Sequence, residues 1–140
     1  MPDDCIFCAI VAGDIPATKI DEDDRVVAFM DINPATRGHA LVIPRVHAAN
    51  VLEIEEEDLA AAVKMGQKVA RRAVRGLGAD GVNLLNSCGE HAWQTVFHFH
   101  LHVIPRYEHD PLQLPWSPHP GDQEDIAAAA AVLRSTSYAG

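Results

Sequence analysis

The sequence predicts an α+β domain: an antiparallel sheet of about five strands, one long helix and a short C-terminal helix. Three observations predict it. Short β-compatible runs are bounded by turn residues, one long stretch keeps helical spacing, and a strictly alternating run follows that stretch. Strands clustered around one long helix suggest an α+β domain with an antiparallel sheet. At 140 residues the chain reads as one domain, 1–140, large enough for a single core.

Ile20 to Asp31 reads as a strand-pair region, in which Val26, Val27, Ala28 and Phe29 follow the turn-like Glu22-Asp23-Asp24. Asn33-Pro34 and Arg37-Gly38 mark a turn, and Ala40 to Ile43 is a short buried strand that stops at Pro44. From about Ile54 to Leu77, the residues Leu59, Val63, Gly66, Val69, Ala73 and Leu77 keep helical spacing. Glu55 to Asp58 suit the positive first turn of that helix, and Lys68, Arg71, Arg72 and Arg75 suit its later turns. Gly76 and Gly78 end it. Gly81 to Asn86 is the next strand, and a polar loop from Ser87 to Trp93 leads into the alternating run. Beyond Tyr107, Pro111, Pro115, Pro118 and Pro120 keep the chain on the surface until Asp122 caps a last helix through Arg134.

Twenty acidic residues against eleven basic ones give a formal charge of −9. That balance repels a phosphate backbone, so a nucleic-acid partner is not expected, while a small phosphorylated ligand in a locally positive site is compatible with it. No apolar run approaches the roughly 18–20 residues of a membrane span, so no membrane partner is expected. The acidic start Met1-Pro2-Asp3-Asp4 leads into no long apolar run of the secretory kind, and a cytoplasmic location is the expectation. Three cysteines, an odd number, argue against a disulfide framework.

The alternating run carries the chemistry. His98, His100 and His102 occupy every second position between Phe97, Phe99, Leu101 and Val103. On a strand, all three imidazoles share one face and the apolar set shares the other. One such histidine is an ordinary polar residue on a wet face; three in strict alternation call for a function. A site in which all three bind one metal is disfavoured, because same-face residues lie about 6.6 Å apart and the outer pair about 13 Å apart. Zinc–nitrogen bonds are only about 2 Å long. Two histidines sharing a metal remains open. Nucleophilic attack by a neutral imidazole on phosphorus is the third reading, and His100, flanked on both sides, is the best-placed nucleophile.

The run His98-Phe99-His100-Leu101-His102-Val103-Ile104 resembles the signature of the histidine triad (HIT) family of nucleotide hydrolases and transferases. Further likeness lies in Gln94-Thr95-Val96, Cys5-Ile6-Phe7-Cys8, Phe29-Met30-Asp31-Ile32-Asn33-Pro34 and Arg37-Gly38-His39-Ala40-Leu41-Val42-Ile43-Pro44. The N-terminal half is most like the phosphoramidase-like bacterial branch. The likeness spans about Cys5 to Tyr107, which implies a HIT-like core over 5–107 and a C-terminal extension over 108–140.

The resemblance implies cleavage of a phosphorus-linked nucleoside monophosphate, of the nucleoside phosphoramidate type, through a nucleotidyl intermediate on His100. His102 then contacts the phosphate and assists the leaving group, and Gln94, Thr95 and either Asn86 or Ser87 hold phosphate oxygens. Asp31 takes the ribose hydroxyls, and Ile6, Phe7, Ile10, Ile15, Phe29 and Ile32 line a pocket for a purine-type base. His39 enters as a supporting polar residue. Diadenosine polyphosphate hydrolysis is the alternative activity; a nucleotide-binding scaffold with incidental turnover and a metal-dependent hydrolase are rivals of other classes.

Cys5-X-X-Cys8 has zinc-knuckle spacing but supplies only half a tetrahedral set, and by itself it reads equally as a redox-active pair or as two inert thiols. The resemblance completes the set with His47 and His98 as a structural zinc site, leaving the chemistry itself without a cofactor. It also implies a homodimer. One residue departs from the family pattern: Trp93 stands before Gln94 where a small residue, often glycine, is usual. Cys88, His91, His109 and His119 read as loop side chains without a role.

Overall fold

A computed structural model describes residues 4–138; Met1-Pro2-Asp3 and the last two residues of the expected 1–140 domain lie outside the described residues. Helix α1 (Ile6–Ala12) precedes strands β1 (Lys19–Glu22), β2 (Val26–Met30) and β3 (Ala40–Pro44). Helix α2 (Glu56–Leu77), strand β4 (Gly81–Asn86), a 3-10 turn at Glu90–Ala92, strand β5 (Leu101–Arg106) and helix α3 (Gln123–Ser135) follow. The five strands form one sheet in the order β1-β2-β3-β5-β4, and every neighbouring pair is antiparallel. The α+β expectation therefore holds, with the long helix packed on one face of the sheet.

Both faces of the sheet are covered, and the period-two rule decides which residue goes where. Val26, Ala28, Ala40, Val42, Leu101 and Val103 face α2 and pack with Ala62, Met65 and Val69. Val27, Phe29, Leu41 and Ile43 face the other way and pack with Phe7 and Ile10 of α1. Four consecutive buried residues in β2 are the signature of a strand covered on both sides. Helix α1 was not expected from the sequence. Its first turn is fixed by the Cys5 sulfur, which accepts the backbone N–H of Cys8 at 3.3 Å.

Two expectations need correction. The buried stripe of α2 is Ala62, Met65, Gly66, Val69 and Ala73, whereas Val63 is 46% exposed. Those positions follow i, i+3, i+4, i+7, and Val63 lies about 100° off that line. A Cβ at Gly66 would come within 2.8 Å of Leu101 Cδ2 on β5, so glycine lets that side chain lie close against the helix. Asp58, also buried on this helix, is held by Arg25 at 2.8 Å.

The second correction concerns the histidine run. The strand begins only at Leu101, so His102 alone of the three is in regular β structure. The β3–β5 ladder ends at the Val42↔Leu101 pair. Upstream, the backbone turns to other partners, with the Phe99 N–H donating to the Ala48 carbonyl at 2.7 Å. The alternation of faces nevertheless persists: Phe99 joins the α2 side, while His98 and His100 both stand edge-on to Phe7.

Asp122 caps α3 by accepting the Asp125 N–H, and the helix closes one residue beyond the expected end, at Ser135. It buries none of its own residues. No described helix is long and apolar enough to cross a membrane.

Candidate active site

His100 is 5% exposed, and its Nδ1 lies 2.9 Å from the carbonyl oxygen of His98. A carbonyl only accepts, so the ring proton sits on Nδ1 and the Nε2 lone pair is free. Burial pushes the His100 imidazolium pKa below its ordinary value, which keeps the ring neutral at pH 7. The Asn86 side-chain amide donates to the His100 carbonyl at 3.0 Å and fixes the backbone that carries the ring. A neutral imidazole with a directed lone pair is the form a nucleophile requires.

His102 follows on β5, its ring centre 4.9 Å from that of His100. Burial, with His100 and His39 nearby, pushes its pKa down to about 4, opposed by Asp31. Both rings line a cavity of about 400 Å³ between α1, β2 and the segment before β5. Ile6, Phe7, Ile10, Ile15 and Phe29 line it as well, and Ile32, 89% exposed, stands at its rim. Asp31 and Thr95 bring polar groups to the same wall. An apolar slot with a few convergent polar groups has the make-up of a small-molecule site. Met30, Asn33, Leu41 and Val96 line it too and were not singled out from the sequence. Register could have found Leu41, which pairs directly with His102 across β3 and β5.

Of the residues expected at the phosphate, Thr95 lines the cavity, whereas Gln94 and both alternatives, Asn86 and Ser87, do not. Gln94 is 3% exposed, and its amide N–H groups donate to the Ala49 and Val96 carbonyls at 2.6 and 3.0 Å. Its oxygen accepts the Gly89 N–H at 2.8 Å. With both donors committed, Gln94 stitches the loop together and has no hydrogen left for a phosphate oxygen. Asn86 is turned to the His100 carbonyl, and Ser87 is 6% exposed; neither lines the cavity. Trp93, just before Gln94, has φ +76 and is the only non-glycine residue with positive φ among those described. The position favours glycine, so the departure noted in the sequence is a backbone departure.

His98 belongs to a different constellation. Its Nε2 lies 2.8 Å from the Pro44 carbonyl, so the proton is on Nε2 and the Nδ1 lone pair is free. That nitrogen stands 3.2 Å from His47 Nδ1, 3.4 Å from Cys5 Sγ and 3.5 Å from Cys8 Sγ. Cys8 Sγ is 3.4 Å from His47 Nδ1, and all four ligand atoms lie within 4.8 Å of one another. Tetrahedral bonds of about 2.3 Å to sulfur and 2.0–2.1 Å to nitrogen place nitrogens about 3.3 Å apart, and nitrogen from sulfur about 3.5 Å. The spacing fits such a shell. Burial pushes the Cys8 thiol up to about 11, and the hydrogen bond and charge of Cys5 push the same way. Two thiols and two imidazoles packed together with no compensating charge are what a divalent cation would resolve. The expected metal residues Cys5, Cys8, His47 and His98 are thus in one place, although 93 residues separate the outermost pair. His91, His109 and His119 are exposed and belong neither to the cavity lining nor to the cysteine–histidine cluster.

The family pattern of the HIT domain matches residues 12–109. The chain is 39% identical over 132 residues to adenosine 5'-monophosphoramidase hnt1 of Schizosaccharomyces pombe, covering 94% of this chain and 96% of that protein. A solved Streptococcus mutans UA159 structure superposes with a TM-score of 0.90 at 41% identity, covering 96% of this chain and 85% of that one. The crystal structure of a Zn-bound histidine triad family protein from Mycobacterium smegmatis matches at 44% identity and a TM-score of 0.76, covering 94% of this chain and 96% of that one. With residues 12–109 matched by the family pattern, and with His98 set beside two cysteines while His100 and His102 line the cavity, the chain belongs to the HIT domain family.

Proposed function

We propose that this protein is a nucleotidyl hydrolase or transferase that cleaves the phosphorus–nitrogen bond of a nucleoside phosphoramidate through a nucleotidyl-His100 intermediate. One observation carries the proposal: the His98 carbonyl holds the His100 proton on Nδ1, leaving the Nε2 lone pair free on a ring that lines a nucleotide-sized cavity. In the first step His100 Nε2 bonds to phosphorus, and the departing amine takes a proton from His102. Water then attacks the adduct, gives its proton back to His102 and releases the nucleoside monophosphate. Splitting one displacement into two lowers each barrier.

Asp31, on the cavity wall, suits the ribose hydroxyls as a hydrogen-bond acceptor, and the exposed Thr95 suits a phosphate oxygen. Ile10, Phe29 and Ile32 offer apolar contact to a purine-type base. The phosphoramidase name of the fission-yeast relative supports the choice of leaving group.

Cys5, Cys8, His47 and His98 would hold one zinc ion, a reading supported by their spacing and by the Zn-bound relative. Held there, an ion would supply structure alone, and the four residues would tie α1 to the segment that carries His98 and His100. The outer edge of β4, with Leu84 and Leu85 exposed, supports pairing with a second copy of the chain, because an open sheet edge is a template for another strand. Three free thiols suit a reducing cytoplasm.

The test is to quench the protein at alkaline pH during turnover of adenosine 5'-phosphoramidate and weigh its peptides. The expected product is one adenylate on the peptide that holds His100. Efficient turnover with that peptide unmodified would overturn the proposal.

A further inference from the structure

His39 is 5% exposed, and the reaction just described does not use it. Both of its ring nitrogens are engaged. Nδ1 receives the Ala35 backbone N–H at 3.0 Å. A backbone N–H only donates, so Nδ1 is the bare nitrogen, and a neutral imidazole then carries its single proton on Nε2. That Nε2 has two acceptors in reach: His102 Nδ1 at 2.9 Å and Asp31 Oδ2 at 3.4 Å. The shorter contact is the main one, so His102 Nδ1 accepts, and the proton of His102 is left on Nε2.

The loop that starts this chain is firmly held. Thr36 donates its hydroxyl to the Pro105 carbonyl at 2.6 Å, and the Asp31 N–H donates to the His39 carbonyl at 3.0 Å. Gly38, at φ +88, is pressed so closely that a Cβ would run into Leu77. Ala35 therefore presents its N–H from a fixed place. Burial pushes both His39 and His102 below the ordinary histidine value, in keeping with neutral rings.

Asp31, His39 and His102 have ligand atoms close enough for a metal, in the two-histidine, one-carboxylate combination. The Ala35 N–H decides against that use, because it forces the His39 proton onto the nitrogen that would have to coordinate. The cysteine cluster shows the opposite arrangement, with the His98 proton drawn away to Pro44 and the inward nitrogen bare.

From this geometry we infer that His39 is a positioning residue: held by Ala35, it locks His102 as the Nε2–H tautomer and so keeps the only proton of His102 available to the leaving group. The inference rests on the function proposed above for its kinetic consequence but not for the tautomer itself. A wrong tautomer at His102 would present a lone pair where a departing amine needs a proton, so the loss falls on leaving groups that cannot depart without one.

Two measurements test it. Side-chain nitrogen NMR of the unmodified protein at neutral pH is expected to show His102 protonated at Nε2 and bare at Nδ1, and His39→Leu is expected to show a mixture. Finding His102 protonated at Nδ1 in the unmodified protein would overturn the inference whether or not any substrate turns over. In kinetics, His39→Leu should lower kcat about 100-fold on an adenosine phosphoramidate with an alkylamine leaving group and less than about fivefold on the p-nitrophenyl ester of AMP, with KM unchanged. His39→Gln, whose amide can donate from nearly the same place, should recover most of the loss. An equal loss on both substrates, or a glutamine variant no better than leucine, would overturn it. Absence of turnover by the unmodified protein would strike the proposed function and leave the tautomer result standing.

Discussion

His98 donates its Nε2–H to the Pro44 carbonyl at 2.8 Å, and by doing so turns a bare Nδ1 toward Cys5, Cys8 and His47. The bond orients the ring and selects the tautomer a metal requires.

The ligand set should hold one zinc per chain, and Cys8→Ser should remove it. Losing the ion unties α1 from the sheet, so the melting temperature should fall by about 10 °C, which at about 2–4 °C per kcal/mol corresponds to about 3 kcal/mol or somewhat more. A chelator should lower the melting temperature of the unmodified protein equally, while turnover below that temperature continues. Elemental analysis alongside calorimetry checks both; a metal-free protein with full stability would rule the site out.

His100→Ala removes the proposed nucleophile from a cavity whose other walls are intact. Turnover of adenosine 5'-phosphoramidate should drop by about 10⁴-fold or more, the scale seen when a nucleophile is deleted. Binding of AMP, measured by calorimetry, should change by less than about threefold, because the residues proposed to hold the ribose and base are untouched. A variant that stays active would refute the covalent route.

Trp93 sits at φ +76 and is 65% exposed. An L side chain in that region costs about 1 kcal/mol or more, and glycine does not bear that cost. Trp93→Gly should therefore raise the denaturation midpoint, or hold it, despite the loss of a large side chain. A fall of more than about 1 kcal/mol would mean the indole makes contacts that outweigh the strain.

The pH dependence of stability follows from His102. Its folded pKa of about 4 lies below the ordinary value of 6.5. Between these values the unfolded chain binds a proton that the folded chain excludes. The contribution is complete above about pH 6.5 and is lost as pH falls toward 4, with a slope of at most about 1.4 kcal/mol per pH unit. Solvent reaches part of the ring, so the measured slope should be smaller. Urea midpoints taken from pH 7 to 4 should fall more steeply for the unmodified protein than for His102→Phe; parallel curves would contradict the prediction.

Much of this protein was legible in its residues, and the misses have physical causes. β4 was read at the bounds observed, Gly81 to Asn86, because turn residues flank it. Helix α3 was found through its Asp122 cap. Helix α1 is not legible in the sequence, because seven residues give little periodicity. Val63 was misplaced because an apolar side chain at nearly the right spacing looks the same whichever side of the stripe it falls on. Gln94 was assigned to phosphate because an amide can serve there. Only the fold shows that Gly89, Ala49 and Val96 have already taken it.

By itself, the sequence determined which side chains share a face, since a period of two or of 3.6 is a property of neighbouring residues. It thereby brought His98 and His100 to one side and Phe99 to the other, even where the strand itself gives way. Tertiary structure alone decided where each proton sits. The carbonyls of Pro44 and His98 and the N–H of Ala35 reach their imidazoles through the fold, and an imidazole becomes ligand, nucleophile or donor according to which of its two nitrogens is occupied.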